Sequence, residues 1–426
     1  MKFCVNSKAL AKAIKPSVAV ATDNCLKDFA YGGLITMKAE DKRIVLFSYG
    51  GTASSISIIS DSNYGDLKYE CENEGTVTIK ALDLEDSLTT QTDGLVEVSL
   101  ISGELLVALV SDKSSKRSMP TLDTEVIPPN VGVKFEQSIE INREVFEIGL
   151  TDISFAPADE EKMQTYMCML MESTTNKGKQ EVTFQAGSGG RFAIKSIGGK
   201  DIFKNSEDVS IIFPKNNLPT IHKVIKELYG KMLMIRVAEK NSSKNIPSQI
   251  MIECDGVVLC LFGSESFTKY PKLKKIIENV YPNRIYSDPT GWEQVKGAIG
   301  MTRRGHDSSI HNTEVVFESE NERFMVTPQT AHACTTPIHI VDIEECVAKG
   351  EKIWFKCNSK YLEEAVARSK QHGKMQFNFE SQQILEDLPK DKPQQMKPVL
   401  IKFPEKSNDA KEITENFCMF FTVSTK

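Results

Sequence analysis

The sequence predicts an α+β protein made of three similar domains in tandem, each with two helices laid on one face of antiparallel sheet. Three observations predict it. The chain has 426 residues, which at roughly 100–200 residues per domain corresponds to two to four domains. A pattern of strand, helix, glycine and strand recurs with a period near 140 residues. Strand-like stretches with two-residue alternation outnumber helix-like ones, the balance expected when helices cover antiparallel sheets.

The repeat has three components. In the first, an apolar strand runs into a helical stretch closed by glycine and a second strand: Thr76 to Leu100, Ser210 to Val237 and Lys352 to Phe379. The strand residues Ile79, Phe213 and Phe355 recur at intervals of 134 and 142, and the closing glycines are Gly94, Gly230 and Gly373. A glycine just past a helix supplies the left-handed stop. The second component pairs a strand with a helix from Phe3, Ile139 and Ile285, starts that lie 136 and 146 residues apart. Within these helices Leu10 and Ile14, then Val145, Phe146 and Leu150, then Trp292, Val295 and Ile299 have the spacing of one buried face. The third is a two-strand unit with a turn, RIVLFSYGGTASSISI from Arg43, EVTFQAGSGGRFAIKSI from Glu181 and RFMVTPQTAHACTTPIHI from Arg323. Three components repeating in one order place the domains at 1–134, 135–282 and 283–426. Each then holds two helices and roughly eight short strands. The polar segments Ser173–Gln180, Glu239–Gln249, Glu386–Lys397 and Pro404–Glu415 read as loops or insertions.

Composition narrows the function classes. With 40% hydrophobic and 26% charged residues the chain is neither disordered nor low-complexity. No apolar run approaches the roughly 18 residues of a membrane span, and MKFCVNSKAL lacks the apolar core of a secretion signal, so a cytoplasmic location is expected. The ten cysteines contain no CxxC pair; Cys254 and Cys260 lie on a strand-like run and read as small buried hydrophobes. No disulfide or metal site is expected: His306 and His311 lack further ligands, and His332 and His339 flank Cys334 on strand-like segments without a carboxylate pair. The absence of GxxxxGK[ST], HExxH and GxSxG argues against an enzyme, and no cofactor is expected. A net charge of −6 does not suit a generic nucleic-acid binder, unless the positive charge is segregated on one surface.

Beyond the repeat, an ordered series of segments resembles the bacterial DNA polymerase III β subunit family, the DNA sliding clamps. Thr165-YMCMLMES resembles the strand that opens the family's middle-domain sheet, and Gly187-SGGRFAIKS its strand-turn-strand. Phe213-PKNNLPTIHKVIKEL resembles its second helix, and Phe267-TKYPKLKKII the segment before its last linker. The resemblance spans the chain in domain order and identifies a divergent member. It implies three tandem clamp domains forming half of a closed ring, completed by a second chain as a homodimer. The ring would enclose duplex DNA without sequence preference and tether the replicative polymerase, the clamp loader and other proteins carrying a clamp-binding motif. It implies a bacterial cytosol or nucleoid location, or the cytosol of a phage-infected host.

Under that resemblance the inner wall is six helices, at Asn6–Ala21, Lys80–Gln91, Asn142–Ser154, Lys215–Tyr229, Pro289–Gly305 and Asn358–His372. They carry net charges of +3, −2, −2, +2, +2 and +1 in a chain of −6. The DNA-facing candidates are Lys8, Lys12 and Lys15 on the first, Lys215, Lys223 and Lys226 on the fourth, Lys296, Arg303 and Arg304 on the fifth, and Arg368 and Lys370 on the sixth. Individually, each would be an ordinary solvated helix position. The partner-peptide pocket, carried over by local alignment, has walls at Tyr166, Gly189, Arg191, Phe192, Pro271, Lys275, Ile276, Pro398, Cys418 and Phe420. Its apolar walls would anchor two hydrophobic side chains. The chain departs from the family at Gly190, where the family has histidine, at Lys275, where it has arginine, and in the tail Phe417-CMFFTVSTK. The dimer contact is expected between Glu104–Val110 or Ser114–Met119 and the partner's 304–310 region. The alternative is a repeat-built structural or assembly protein, such as a viral shell or tail component, which would need neither helix lysines nor a peptide pocket.

Overall fold

The computed structural model describes residues 1–23, 30–90, 94–127, 135, 137–158, 167–176, 178–188, 190–204, 208–238, 249–262, 270, 273, 283–287, 292–294, 314–320, 323–329, 339–342, 345–346, 354–379, 396–404, 406–408 and 413–424. The chain divides into two compact units, one of residues 1–154, 172–174 and 201–268, the other of residues 155–171, 175–200 and 269–426. The recorded strand pairings are antiparallel, and the fold is α+β.

Among the described residues of the first unit four helices form: α1 (Ser7–Ala21), α2 (Ala81–Thr89), α3 (Arg143–Ile153) and α4 (Leu218–Lys226), the last preceded by a 3₁₀ turn at Lys215–Asn217. Asparagines start α1 and α3. Asn6 Oδ1 accepts the Ala9 N–H at 2.9 Å, and Asn142 Oδ1 accepts those of Glu144 and Val145 at 2.9 and 3.4 Å. Each cap satisfies donors that a helix start leaves unpaired. The first N–H of α1 reaches Gly94 O at 2.9 Å, and that of α3 reaches Lys231 O at 2.8 Å, the position just past α2 or α4. The period seen in the sequence is thus a repeated set of hydrogen bonds.

The helices lie side by side in the order α2, α1, α4, α3. Behind them a nine-stranded sheet runs Phe203–Lys204, Gln137–Asn142, Met232–Ala238, Gln249–Cys254, Val257–Phe262, Ala53–Ile59, Arg43–Tyr49, Leu34–Glu40, Gly75–Lys80. Its central seam pairs Val257 with Ser57 through Leu261 with Ala53, joining the second repeat to the first in one continuous sheet. A separate five-stranded sheet runs Glu70–Asn73, Lys2–Asn6, Leu95–Ile101, Glu104–Leu109, Lys116–Pro120. Lys116–Pro120 is an edge strand, with Lys116, Arg117 and Ser118 exposed. Leu10, Ile14, Ile35, Leu46, Ile79 and Leu84 sit in the core between helices and sheet. Each such side chain contributes roughly 1.5–3 kcal/mol by leaving water. Ser17 enters this layer too, its hydroxyl 2.8 Å from that of Ser57; the short polar pair lets α1 sit close to the sheet.

The second unit repeats the device. Strand Arg191–Gly199 pairs with Lys179–Ser188 on one side and with Ile413–Ser424 on the other, in register from Arg191 opposite Phe421 to Gly199 opposite Ile413. Met396–Lys402 also pairs with Ile413–Ser424. Helix α5 (Ser359–His372) belongs here. Trp292 is fully buried, donates from Nε1 to Ser287 Oγ at 2.8 Å and packs on Phe377. The rest of the helix expected at 289–305, apart from residues 292–294, lies outside the described residues, as do His306, His311, His332, Cys334 and most of the loops expected at Glu239–Gln249 and Glu386–Lys397, whose last residues, Gln249 and Met396 with Lys397, are instead in strands.

Two expectations are corrected. The polar stretch Ser173–Gln180 is no loop: it is the tip of the hairpin of Cys168–Asn176 and Lys179–Ser188, turning at Gly178 with φ +79°. Thr174, Thr175 and Asn176 are exposed there, so the strand continues into solvent-exposed positions and the sequence loses its apolar alternation. Likewise Pro404–Glu415 contains strand Lys406–Asn408 and the start of Ile413–Ser424. The closing glycines also differ in cause. Gly373 is left-handed, φ +89°. Gly230 is required by crowding, since a Cβ there would lie 2.5 Å from Cys254 Sγ.

The crowding has a purpose. Asp255 (φ +50°) and Gly256 (φ +77°) turn the hairpin of Gln249–Cys254 and Val257–Phe262, and the Asp255 carboxylate accepts the backbone N–H groups of Tyr229, at 3.0 Å, and Gly230. It anchors the exit of α4. Asp255→Ala is expected to cost about 2–3 kcal/mol in urea unfolding, the scale of hydrogen bonds to a charged acceptor. Asp255→Asn, which tolerates the left-handed turn, should lose about half of that.

Candidate functional site

The solvent face of α1 is narrow. With α2 and α4 on its flanks and the sheet beneath, eleven residues from Ser7 to Ala21 are buried. The remainder, Lys8, Lys12, Lys15 and Ala19, forms one stripe at helical spacing, with Lys8 and Lys12 exposed. On α4, Pro219, Lys223 and Lys226 are exposed in the same way, while Leu218, Thr220, Ile221, Val224 and Ile225 are buried. Lys15 Nζ lies 3.3 Å from Glu227, an ion pair between α1 and the end of α4. The outer helices have the opposite sign: Asp83, Glu85 and Asp86 on α2, Glu144 and Glu147 on α3. The α1–α4 seam is therefore a basic track with acidic margins. His222, whose Nε2 is 3.1 Å from Thr151 Oγ1, fills the α3–α4 contact, and burial lowers its pKa.

Of the DNA-facing candidates, Lys8, Lys12, Lys15, Lys223 and Lys226 fall on this track, and the half-buried Lys215 precedes α4. Arg368 lies on α5 in the second unit, over the Phe155 ring at 4.7 Å. Lys370 is also on α5. Lys296, Arg303 and Arg304 lie outside the described residues.

The pocket candidates separate according to strand alternation. Phe192 and Ile194 form an apolar cluster with Leu273 and Leu400, with Tyr270 and Cys418 packed against it. Register places Phe420 opposite both Phe192 and Leu400, and Cys418 opposite both Ile194 and Lys402, with Pro398 two residues before Leu400 on the same strand. Tyr270 and Leu273 reach this cluster from the segment before the last expected domain boundary; Pro271, Lys275 and Ile276, with Tyr166 and Gly189, lie outside the described residues. Tyr270, Ile194, Leu273, Leu400 and Lys402 were missed in the sequence. Strand alternation could have supplied Ile194 and Leu400, each two residues from a candidate already named.

Arg191 is on the opposite face of the strand from Phe192, as alternation requires. It is 5% exposed. Its Nη1 pairs with Glu364 of α5 and its Nη2 donates to Phe155 O at 3.0 Å. The guanidinium also lies 5.9 Å from the centroid of the Phe155 ring and 5.7 Å from that of Tyr361. Burial raises the Glu364 pKa against the pull of Arg191. On the same face Lys195 is fully buried and paired with Glu415 at 2.7 Å.

Gly187 sits opposite Phe192 in the hairpin, and the ring lies across it: an added Cβ would fall 1.9 Å from Phe192 Cδ1. Gly187→Ala must displace the ring. We expect a loss of about 1–3 kcal/mol in urea unfolding, the cost of overpacking, together with a disturbed apolar cluster. Burial pushes the Cys418 thiol up to about 11, which leaves it unreactive. Among the described residues no three His, Cys, Asp or Glu side chains are grouped to hold a metal ion, and no helix is long and apolar enough to cross a membrane.

The chain has the fold of the bacterial DNA polymerase III β sliding clamps. Among solved structures it matches the DNA polymerase III β chain of Streptococcus pneumoniae over 100% of both chains, with TM-score 0.74 and 14% identity. The Thermotoga maritima β subunit matches with TM-score 0.74 and 13% identity, over 100% of this chain and 99% of that one. A Caulobacter crescentus β sliding clamp, with polyethylene glycol bound to a region assigned to β-motif tethering, matches with TM-score 0.72 and 14% identity, over 100% and 99%. No family model matches the chain, and no curated protein sequence matches it.

Proposed function

We propose that this protein is a processivity factor of DNA replication: two copies close head to tail into a ring around duplex DNA and tether a polymerase through the apolar cluster of the second unit. The observation that carries the proposal is the solvent face of α1, whose four positions hold three lysines in a helix row of the clamp fold. Phosphate contacts position a duplex without reading its sequence, and a few exposed lysines centre it without pinning it. Three clamp domains, at 1–134, 135–282 and 283–426, make six in the dimer. The exposed edge strand Lys116–Pro120 is the proposed contact with the 304–310 region of the second copy, with Lys116 and Arg117 forming ion pairs across it rather than blocking it. Phe192, Cys418 and Phe420, with Leu400 and Tyr270, would anchor the hydrophobic residues of partner peptides from polymerase, clamp loader and other replication or repair proteins. The role is that of a non-catalytic accessory subunit in the cytoplasm of a bacterium or of a phage-infected cell.

A repeat-built assembly protein would have no use for a helix face reduced to lysines. Light scattering separates the two: a particle of about twice 47.5 kDa supports the ring, whereas large polymers or monomers contradict it. Retention on closed circular duplex should also change little from 50 to 200 mM salt. A groove binder making several phosphate contacts loses about 10³–10⁵ in affinity over that range.

A further inference from the structure

We propose that Arg191 is a positioning residue for the partner site, acting through the strand from its far side and never touching the peptide. The inference rests on the partner-site function proposed above. Arg191 and Phe192 are neighbours with side chains on opposite faces of one strand. Phe192 begins the apolar cluster; Arg191 is held behind it by four groups from two segments, the Phe155 carbonyl, the Glu364 carboxylate and the rings of Phe155 and Tyr361. The strand end needs such an anchor. Arg191 closes the hairpin opposite Ser188, and Gly187, opposite Phe192, offers no side chain to hold the ring from its own side. A guanidinium suits this position because its rigid fork serves two acceptors at once while its flat face lies between aromatic rings, which a lysine could not do.

A residue that merely neutralised Glu364 would be dispensable once Glu364 was removed. This separates the two roles. The test uses the full-length protein in three forms: wild type, Arg191→Met and Arg191→Met/Glu364→Met. Each is titrated, well below its melting temperature, with a fluorescein-labelled peptide carrying two large apolar side chains, and each carries 4-fluorophenylalanine at position 192 for fluorine NMR. The single variant is expected to melt lower and to bind about tenfold more weakly. The double variant should recover most of the melting temperature, because apolar replacement of both partners removes the stranded charge, yet still bind at least about fivefold more weakly, with the fluorine resonance at 192 shifted or broadened. Wild-type affinity in the double variant overturns the proposal, as does an unmoved fluorine resonance. If the wild type does not bind the peptide, the partner-site function fails, and the fluorine resonance alone decides whether Arg191 positions Phe192.

Discussion

Replacing Lys8, Lys12, Lys223 and Lys226 together by glutamate is expected to reduce retention on closed circular duplex DNA by well over about 100-fold, while replacing the same four by alanine reduces it only severalfold. The asymmetry follows from the geometry. α1 has almost no solvent surface apart from its lysine stripe, and α4 adds Lys223 and Lys226 beside it. The margins on α2 and α3 are already acidic. Alanine removes attraction that the proposed closed ring would scarcely need. Glutamate makes the whole row negative, and each like charge held at phosphate distance costs about 1 kcal/mol even in bulk water. Reversing Lys42 and Lys113, exposed but on turns outside the helix row, should change retention little. A gel-filtration recovery assay checks all three variants. Equal loss from the glutamate and alanine sets would contradict a duplex centred by weak contacts.

Lys195→Met is expected to destabilise the second unit by about 3–5 kcal/mol, because it strands the Glu415 carboxylate beside a side-chain pocket from which water is excluded. Lys195 is fully buried and its Nζ lies 2.7 Å from Glu415. The pair bridges the seam between strand Arg191–Gly199 and strand Ile413–Ser424, while Arg191 and Glu364 tie the same strand to α5. Lys195→Met/Glu415→Leu should regain most of the loss. Calorimetry of the four-protein cycle measures the coupling; a single variant within about 0.5 kcal/mol of wild type, the range of ordinary surface substitutions, would mean that the pair is not needed.

The architecture was legible in the sequence because the repeat uses local chemistry. Leu10 and Ile14, or Val145, Phe146 and Leu150, mark buried helix faces, and all five are buried. The three two-strand units from Arg43, Glu181 and Arg323 form paired antiparallel strands. Helix limits moved by a residue or two at most ends. The exception was α4, which stops at Lys226 rather than Tyr229 and opens with a 3₁₀ turn. The continuity of the sheets was not legible, because pairing of Val257–Phe262 with Ala53–Ile59 joins residues some 200 positions apart and depends on no local pattern. The apolar cluster of the proposed partner site was half legible. Its apolar members announce themselves, but an alignment names adjacent residues alike, and only alternation reveals that Arg191 and Phe192 serve opposite faces. Lys195 and Glu364 read as ordinary surface charges; their burial comes from a long-range junction.

The most direct measurement loads the protein onto nicked circular duplex, isolates the complex, and cuts the DNA once. Enclosure predicts that the protein stays bound to the circle and leaves within minutes of linearisation, and that it is kept when the new ends are blocked. Retention that is the same before and after the cut would mean that the duplex is held by contact rather than by a ring around it.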